Sequence, residues 1–202
     1  LVPADSTNFK YVSSPTRKKL DYKLLIISIY GMIESYSEQF IINYFEHLTE
    51  VVPYYIDLKP KIKEAHIFNS ANLASKILEN KYGKYQHLKA ESVMTNLNKC
   101  LLNYTNYFIN SESFTILSGN LKHSKICDLF RQIDIDINQK FNDFGIFNCL
   151  NSENFFNKID DIVVRRNVIA HGSINDILDN LTILEYIDFI EKYFNGIYKI
   201  LE

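Results

Sequence analysis

The stretch Asp161-Ile-Val-Val-Arg165-Arg166-Asn167-Val168-Ile169-Ala170-His171-Gly172 decides how this chain is read. Upstream of it, Ser152 followed by Glu153 has the pattern of a helix start, and Phe155, Phe156, Ile159, Ile162, Val163 and Ile169 recur at helical steps. This apolar face runs up to His171, and Gly172 then supplies the residue that commonly ends a helix. The stretch is thus the closing turns of an amphipathic helix. Two arginines, an asparagine and a histidine gather at its C-terminal end.

Downstream, Thr182 and Glu185 have the spacing of a capping box, and Tyr186, Phe189, Ile190, Tyr193, Phe194, Ile197 and Leu201 follow, which predicts a last helix near 183–201. At the other end, Pro15 suits a first helical turn, and Tyr22, Ile26, Ile29, Ile33, Tyr36 and Phe40 form one apolar stripe between Leu20 and Leu48. A second stripe, Leu20, Leu24, Ile27, Gly31, Glu34, Ile41 and Phe45, widens that face and sets a carboxylate in it, so Glu34 is a candidate buried acid.

Pro53 and Pro60 bracket an extended connector over Val51 to Lys59. Asn69 or Ser70 is the expected cap of a short helix over Ala71 to Leu78. Val93, Leu97, Leu101, Tyr104 and Phe108 predict a helix from Glu91 to Phe108, before a polar break at Asn110 to Ser113. Asn120 is the expected opening of the next, with Leu121, Ile126, Leu129, Phe130 and Ile133 inside. Between Ile135 and Leu150 the pattern is irregular, with a turn at Gly145. No internal repeat, linker or persuasive period-two run is present, and the fold class is an all-α bundle.

Residues 1–15 carry Pro3, Ser6, Ser13, Ser14 and Pro15 without apolar periodicity, which reads as a loose terminus or an appended remnant, with one domain over 16–202. The chain of 202 residues is 47% apolar and 14% aromatic. At this size folding buries roughly 70% of the unfolded surface, enough for a single core. A formal charge of −2 excludes an indiscriminate nucleic-acid coat, so any contact with phosphates must be local.

Cys100, Cys127 and Cys149 are odd in number, widely spaced and set among apolar residues, the pattern of reduced core thiols. The start, Leu1 to Ser14, has no long apolar segment, and no run approaches the roughly 20 residues of a membrane span. A cytoplasmic protein without a membrane partner is expected. His47, His66, His87 and His123 have no neighbours at metal-ligand spacing, and no metal or cofactor is expected.

Arg166 and His171 are the candidate chemical pair. An imidazole moves protons near neutral pH, and a guanidinium grips a phosphate in a planar fork. Together they suffice for cleavage of RNA by internal transfer: a base takes the ribose 2′-hydroxyl proton, the oxygen attacks phosphorus, and an acid protonates the departing 5′-oxygen. Arg166 would stabilise charge on the non-bridging oxygens. Five residues apart on a helix, the two side chains point about 140° apart. The arginine must curl, the helix must tighten, or two copies must meet across a cleft, and a two-fold homodimer offers both acid and base from one motif. The competing reading is a plain helix stop, with Arg165 or Arg166 paired to Asp160, Asp161 or Glu34.

Arg166-Asn167-Val-Ile-Ala-His171-Gly172 resembles the Arg-x4-His signature of the HEPN superfamily. The words Ser92-Val-Met-Thr-Asn-Leu97-Asn, Asn120-Leu-Lys-His-Ser-Lys-Ile-Cys-Asp-Leu129-Phe and Phe155-Phe-Asn-Lys-Ile-Asp-Asp161-Ile-Val-Val-Arg165-Arg-Asn resemble its MAE-type and RiboL-PSP-type families of bacterial conflict systems. The likeness covers most of residues 20–200. It implies a HEPN-like bundle with a long N-terminal helix, and a metal-independent endoribonuclease that dimerises through the motif helices, acts as a toxin or antiviral effector, and meets an antitoxin or defence-system partner.

By the same likeness Arg166 and His171 are the catalytic pair and Asn167 the polar residue that orients them. Glu34 lies where related proteins carry a first-helix acid, and Arg165 is a further phosphate contact or an ordinary surface cation. Where toxins of this kind are silenced by nucleotidyltransferases, a tyrosine follows the histidine by two positions. Here that position is Ser173, which argues against such regulation. Some relatives have become scaffolds, so a non-catalytic module that binds protein or RNA is the alternative.

Overall fold

The computed structural model describes residues 15–79, 83–103, 107–116, 120–147, 152–172 and 180–202. Among them are seven α-helices and no strand: α1 (Pro15–Val51), α2 (Pro60–Leu78), α3 (Ala90–Leu101), α4 (His123–Arg131), α5 (Ile137–Asp143), α6 (Ser152–Ala170) and α7 (Asn180–Leu201). Short 3-10 turns occur at Tyr55–Asp57, Gly83–Tyr85 and Ser111–Thr115. The expected all-α bundle with a long first helix is what forms. Of residues read as a loose terminus, 1–14 lie outside the described residues, and Pro15 opens α1. Among the described residues no helix is long and apolar enough to cross a membrane.

The 37-residue α1 is the spine, packing on α6, α7 and the Ser111–Thr115 turn. Its first stripe holds: Tyr22, Ile26, Ile29, Ile33 and Phe40 are buried, and exposed Tyr36 lies against the Phe194 ring at 4.2 Å. The second stripe splits. Ile41 and Phe45 are buried, whereas Leu20 (55% exposed), Leu24 (55%) and Ile27 (46%) face outward, because only one arc of a helix this long meets the bundle. Glu34 is half-buried rather than buried.

Several boundaries differ from the periodicity. α2 begins at Pro60, whose missing N–H costs nothing in a first turn, so Asn69 and Ser70 lie within the helix. α3 stops at Leu101 because Asn103 takes a left-handed φ of 53°. Beyond it Tyr107 and Ile109 are buried and Phe108 exposed, the alternation of extended chain; Tyr104 lies outside the described residues. α4 begins at His123, not Asn120, and α7 at Asn180, so Thr182 and Glu185 are helical and Glu185 accepts from Lys158 Nζ at 2.7 Å. The irregular segment holds α5, capped by Asp136, whose side chain accepts from Gln139 N at 3.1 Å. Gly145 makes the expected turn with φ 65°; residues 148–150 lie outside the described residues.

Cys100 and Cys127 are free thiols, and burial pushes Cys100 up to about 11; Cys149 lies outside the described residues. A buried polar network ties α2 to the chain after α3. His66 is fully buried, its Nε2 accepts the Asn110 N–H at 3.1 Å, and its Nδ1 lies 3.1 Å from the Tyr55 hydroxyl. An accepting Nε2 places the proton on Nδ1, so the ring is neutral. The Asn110 amide bridges onward, donating to Ser70 Oγ and Val93 O, each at 3.0 Å.

Candidate functional site

Phe155, Phe156, Ile159, Ile162 and Val163 are buried and fix the roll of α6 about its axis. The successive arginines then diverge by about 100°. Arg165 turns toward α7, where its Nε meets both oxygens of Asp161 at 3.1 Å and the Tyr186 hydroxyl at 2.9 Å. The Tyr186 hydroxyl in turn donates to Asp161. Burial disfavours the charge of Arg165, but hydrogen bonds with Asp161 and Tyr22 outweigh it and hold the guanidinium above its ordinary range. Burial, then the bond to Asp161, raises Tyr186 as well. Arg165 thus braces α6 against α1 and α7.

Arg166 turns the other way, onto α1. Its guanidinium carbon sits 5.0 Å from the centre of the Tyr30 ring, and Nη1 donates to Asn167 Oδ1 at 3.1 Å and Asn120 Oδ1 at 3.4 Å. The Tyr30 hydroxyl accepts the Leu121 N–H at 3.1 Å and faces Glu34 Oε1 at 3.5 Å. Burial holds this phenol above its usual range; the Leu121 bond and Arg166 pull it down and Glu34 pushes it up. Three of the residues singled out in the sequence, Arg166, Asn167 and Glu34, therefore share one half-buried polar cluster.

His171 lies beyond the last turn of α6. Its N–H still bonds Asn167 O at 3.0 Å, and Gly172 at φ 77° closes the helix through Ile169 O at 3.1 Å. The residue is exposed, and its ring makes no hydrogen bond or ion pair among the described residues. The axial rise from Arg166 is about 7–8 Å, and on an ideal helix the two positions stand about 140° apart around the axis. Ser173 lies outside the described residues.

Periodicity alone missed Tyr30 and Asn120. Tyr30 falls outside both apolar stripes of α1 and Asn120 reads as a helix opener; the local signal for Tyr30 was its four-residue step to Glu34. A second constellation also emerges, His123, Cys127 and Asn138. Cys127 Sγ and Asn138 Oδ1 each lie 3.1 Å from His123 Nε2, and the imidazole stacks on Phe156 at 4.1 Å. A nucleophile relay needs one ring nitrogen for the thiol and the other for the orienting group. Here one nitrogen faces both, and burial holds the thiol above its ordinary range, so the set acts as a polar tie between α4 and α5. Among the described residues no three His, Cys, Asp or Glu side chains are grouped to hold a metal ion.

No curated protein and no solved structure matches this chain. The family model described as RiboL-PSP-HEPN matches residues 6–202. With an all-helical bundle and the Arg166-to-His171 motif closing its penultimate helix, the chain belongs to the RiboL-PSP-HEPN family of the HEPN superfamily.

Proposed function

We propose that the protein is an endoribonuclease acting on single-stranded RNA in the cytoplasm without a metal, as a toxin or antiviral effector with an antitoxin or defence-system partner. The observation that carries this reading is the pairing of an open imidazole at the end of α6 with a guanidinium held five residues earlier among Tyr30, Asn120 and Asn167. His171 takes the ribose 2′-hydroxyl proton, and the freed oxygen attacks the adjacent phosphorus. Arg166 neutralises the charge that builds on the non-bridging oxygens. The 5′-oxygen leaves with a proton from the second histidine of a dimer, giving a 2′,3′-cyclic phosphate and a 5′-hydroxyl. Asn167 orients Arg166, Glu34 sets the local charge through Tyr30, and Arg165 supports the helix. Exposed Val164 and Val168 beside the motif favour association of two copies through α6.

Purified protein is expected to cut unstructured RNA in excess chelator and leave cyclic-phosphate ends. His171→Ala is expected to lower the rate about 10²–10⁴-fold, the usual contribution of a general acid or base, with an unchanged circular dichroism spectrum. Cutting at the wild-type rate by that variant overturns the assignment. Sedimentation is expected to show a dimer, and Val164→Glu a less active monomer.

One observation favours a second reading, a non-catalytic module that binds protein or RNA. Arg165 is neutralised by Asp161 and the chain is acidic overall, which leaves little basic surface to hold RNA. Absent RNA cleavage together with a stable protein complex distinguishes it.

A further inference from the structure

We infer that Tyr30 and Asn120 are positioning residues that aim Arg166, with a catalytic consequence that rests on the ribonuclease reading above. An arginine on a surface helix ordinarily samples many rotamers, and a grip that must meet a transition state loses rate when it wanders. Here three contacts restrict it. The Tyr30 ring, itself buried at 6% exposure, lies under the guanidinium carbon, while the amide oxygens of Asn120 and Asn167 accept from the same nitrogen, Nη1.

The tyrosine also controls the asparagine. Its hydroxyl accepts the N–H of Leu121, the residue that follows Asn120, so one side chain from α1 sets both the floor under Arg166 and the position of the carbonyl beside it. Asn167 is carried on α6 with Arg166 and could turn with it, whereas Tyr30 and Asn120 come from two other segments and fix the side chain relative to the bundle.

The test is a cleavage assay on the full chain with a fluorescent RNA, paired with side-chain NMR of ¹⁵N-arginine. Tyr30→Leu and Asn120→Ala are each expected to lower kcat about 10–100-fold, the effect of a misplacement near an ångström, with KM changed less than about twofold. Tyr30→Phe keeps the ring face but loses the bond that places Asn120, and its rate is expected to fall between those of the wild type and Tyr30→Leu. In an Arg166→Ala background neither substitution costs anything more, because the residue that they aim is gone.

Losses of the same size in that background overturn the proposal by making the effect general, as does full activity of a folded Asn120→Ala. The NMR arm is independent of cleavage: slow rotation of the Arg166 guanidinium in the wild type is expected to become fast in both variants. If the wild type cuts no RNA the ribonuclease reading fails, yet loss of slow rotation in the variants upholds the clamp, and unchanged slow rotation removes it.

Discussion

Single residues in this bundle are judged by what a neighbouring element does to them, and its glycines show it with opposite signs. A Cβ on Gly196, inside α7, would meet Phe141 ring atoms at 2.6, 2.8 and 2.9 Å. That ring cannot retreat, since it is fully buried and hemmed by Phe147, Phe155, Phe156 and Tyr193 at 5.5–6.2 Å between centroids. Overpacking costs about 1–3 kcal/mol against a helix-propensity gain of about 1 kcal/mol, so Gly196→Ala is expected to be destabilising. On α1, a Cβ at Gly31 meets nothing within 4 Å. There only propensity operates, and Gly31→Ala is expected to add about 0.5–1 kcal/mol. Urea unfolding of both variants checks the pair; two changes of the same sign contradict the argument. Residue identity made Arg166 and His171 the candidate pair, because those side chains carry their own chemistry. It left Arg165 between a phosphate contact and an ordinary surface cation, and the roll of α6 gives it Asp161 and Tyr186 as neighbours.

At the scale of elements, the helices that begin or end on a local signal were legible: Pro15 opening α1, Gly172 closing α6, the turn at Gly145. Those governed by another element were not. α4 has only nine residues, and Lys122 at its N-cap makes no capping bond. Its first free donor, His123 N, is instead bound at 2.9 Å by Asp160 Oδ1 from α6. This is a cap supplied across the fold, worth about 1 kcal/mol like a local one. Asp160→Ala is expected to lose that amount and Asp160→Asn most of it to retain, measured by equilibrium unfolding; no loss in the alanine variant means that water caps α4 equally well. Because α4 begins three residues after Asn120, the same contact also steadies the approach to Arg166. A capping residue 37 positions away has no sequence pattern, and so the periodicity placed the start of α4 at Asn120.

For the molecule as a whole, His66 sets an acid limit. Burial lowers it from 6.5 to about 4, and its Nε2 must accept from Asn110, so the folded state holds it neutral while the unfolded chain protonates it. A base depressed on folding contributes stability above its unfolded value and loses it as the pH falls through the folded one. Stability is therefore expected to drop between about pH 6.5 and pH 4, by up to something on the order of 3 kcal/mol from this group. Denaturation across that range checks it: His66→Gln should be less stable near neutrality and show a shallower acid slope, and an unaltered slope assigns the loss elsewhere. By itself the sequence determined that the protein is an all-helical bundle with a long first helix and an arginine–histidine motif at a helix end. Apolar spacing and chain-breaking residues act between near neighbours, and the chemistry of those side chains travels with their names. Only the tertiary structure decided that Arg166 lies on Tyr30 beside Asn120 while Arg165 meets Tyr186 of α7, and that His66 is sealed in the core. Those outcomes depend on contacts between segments distant in the chain, which exist only once the helices have packed.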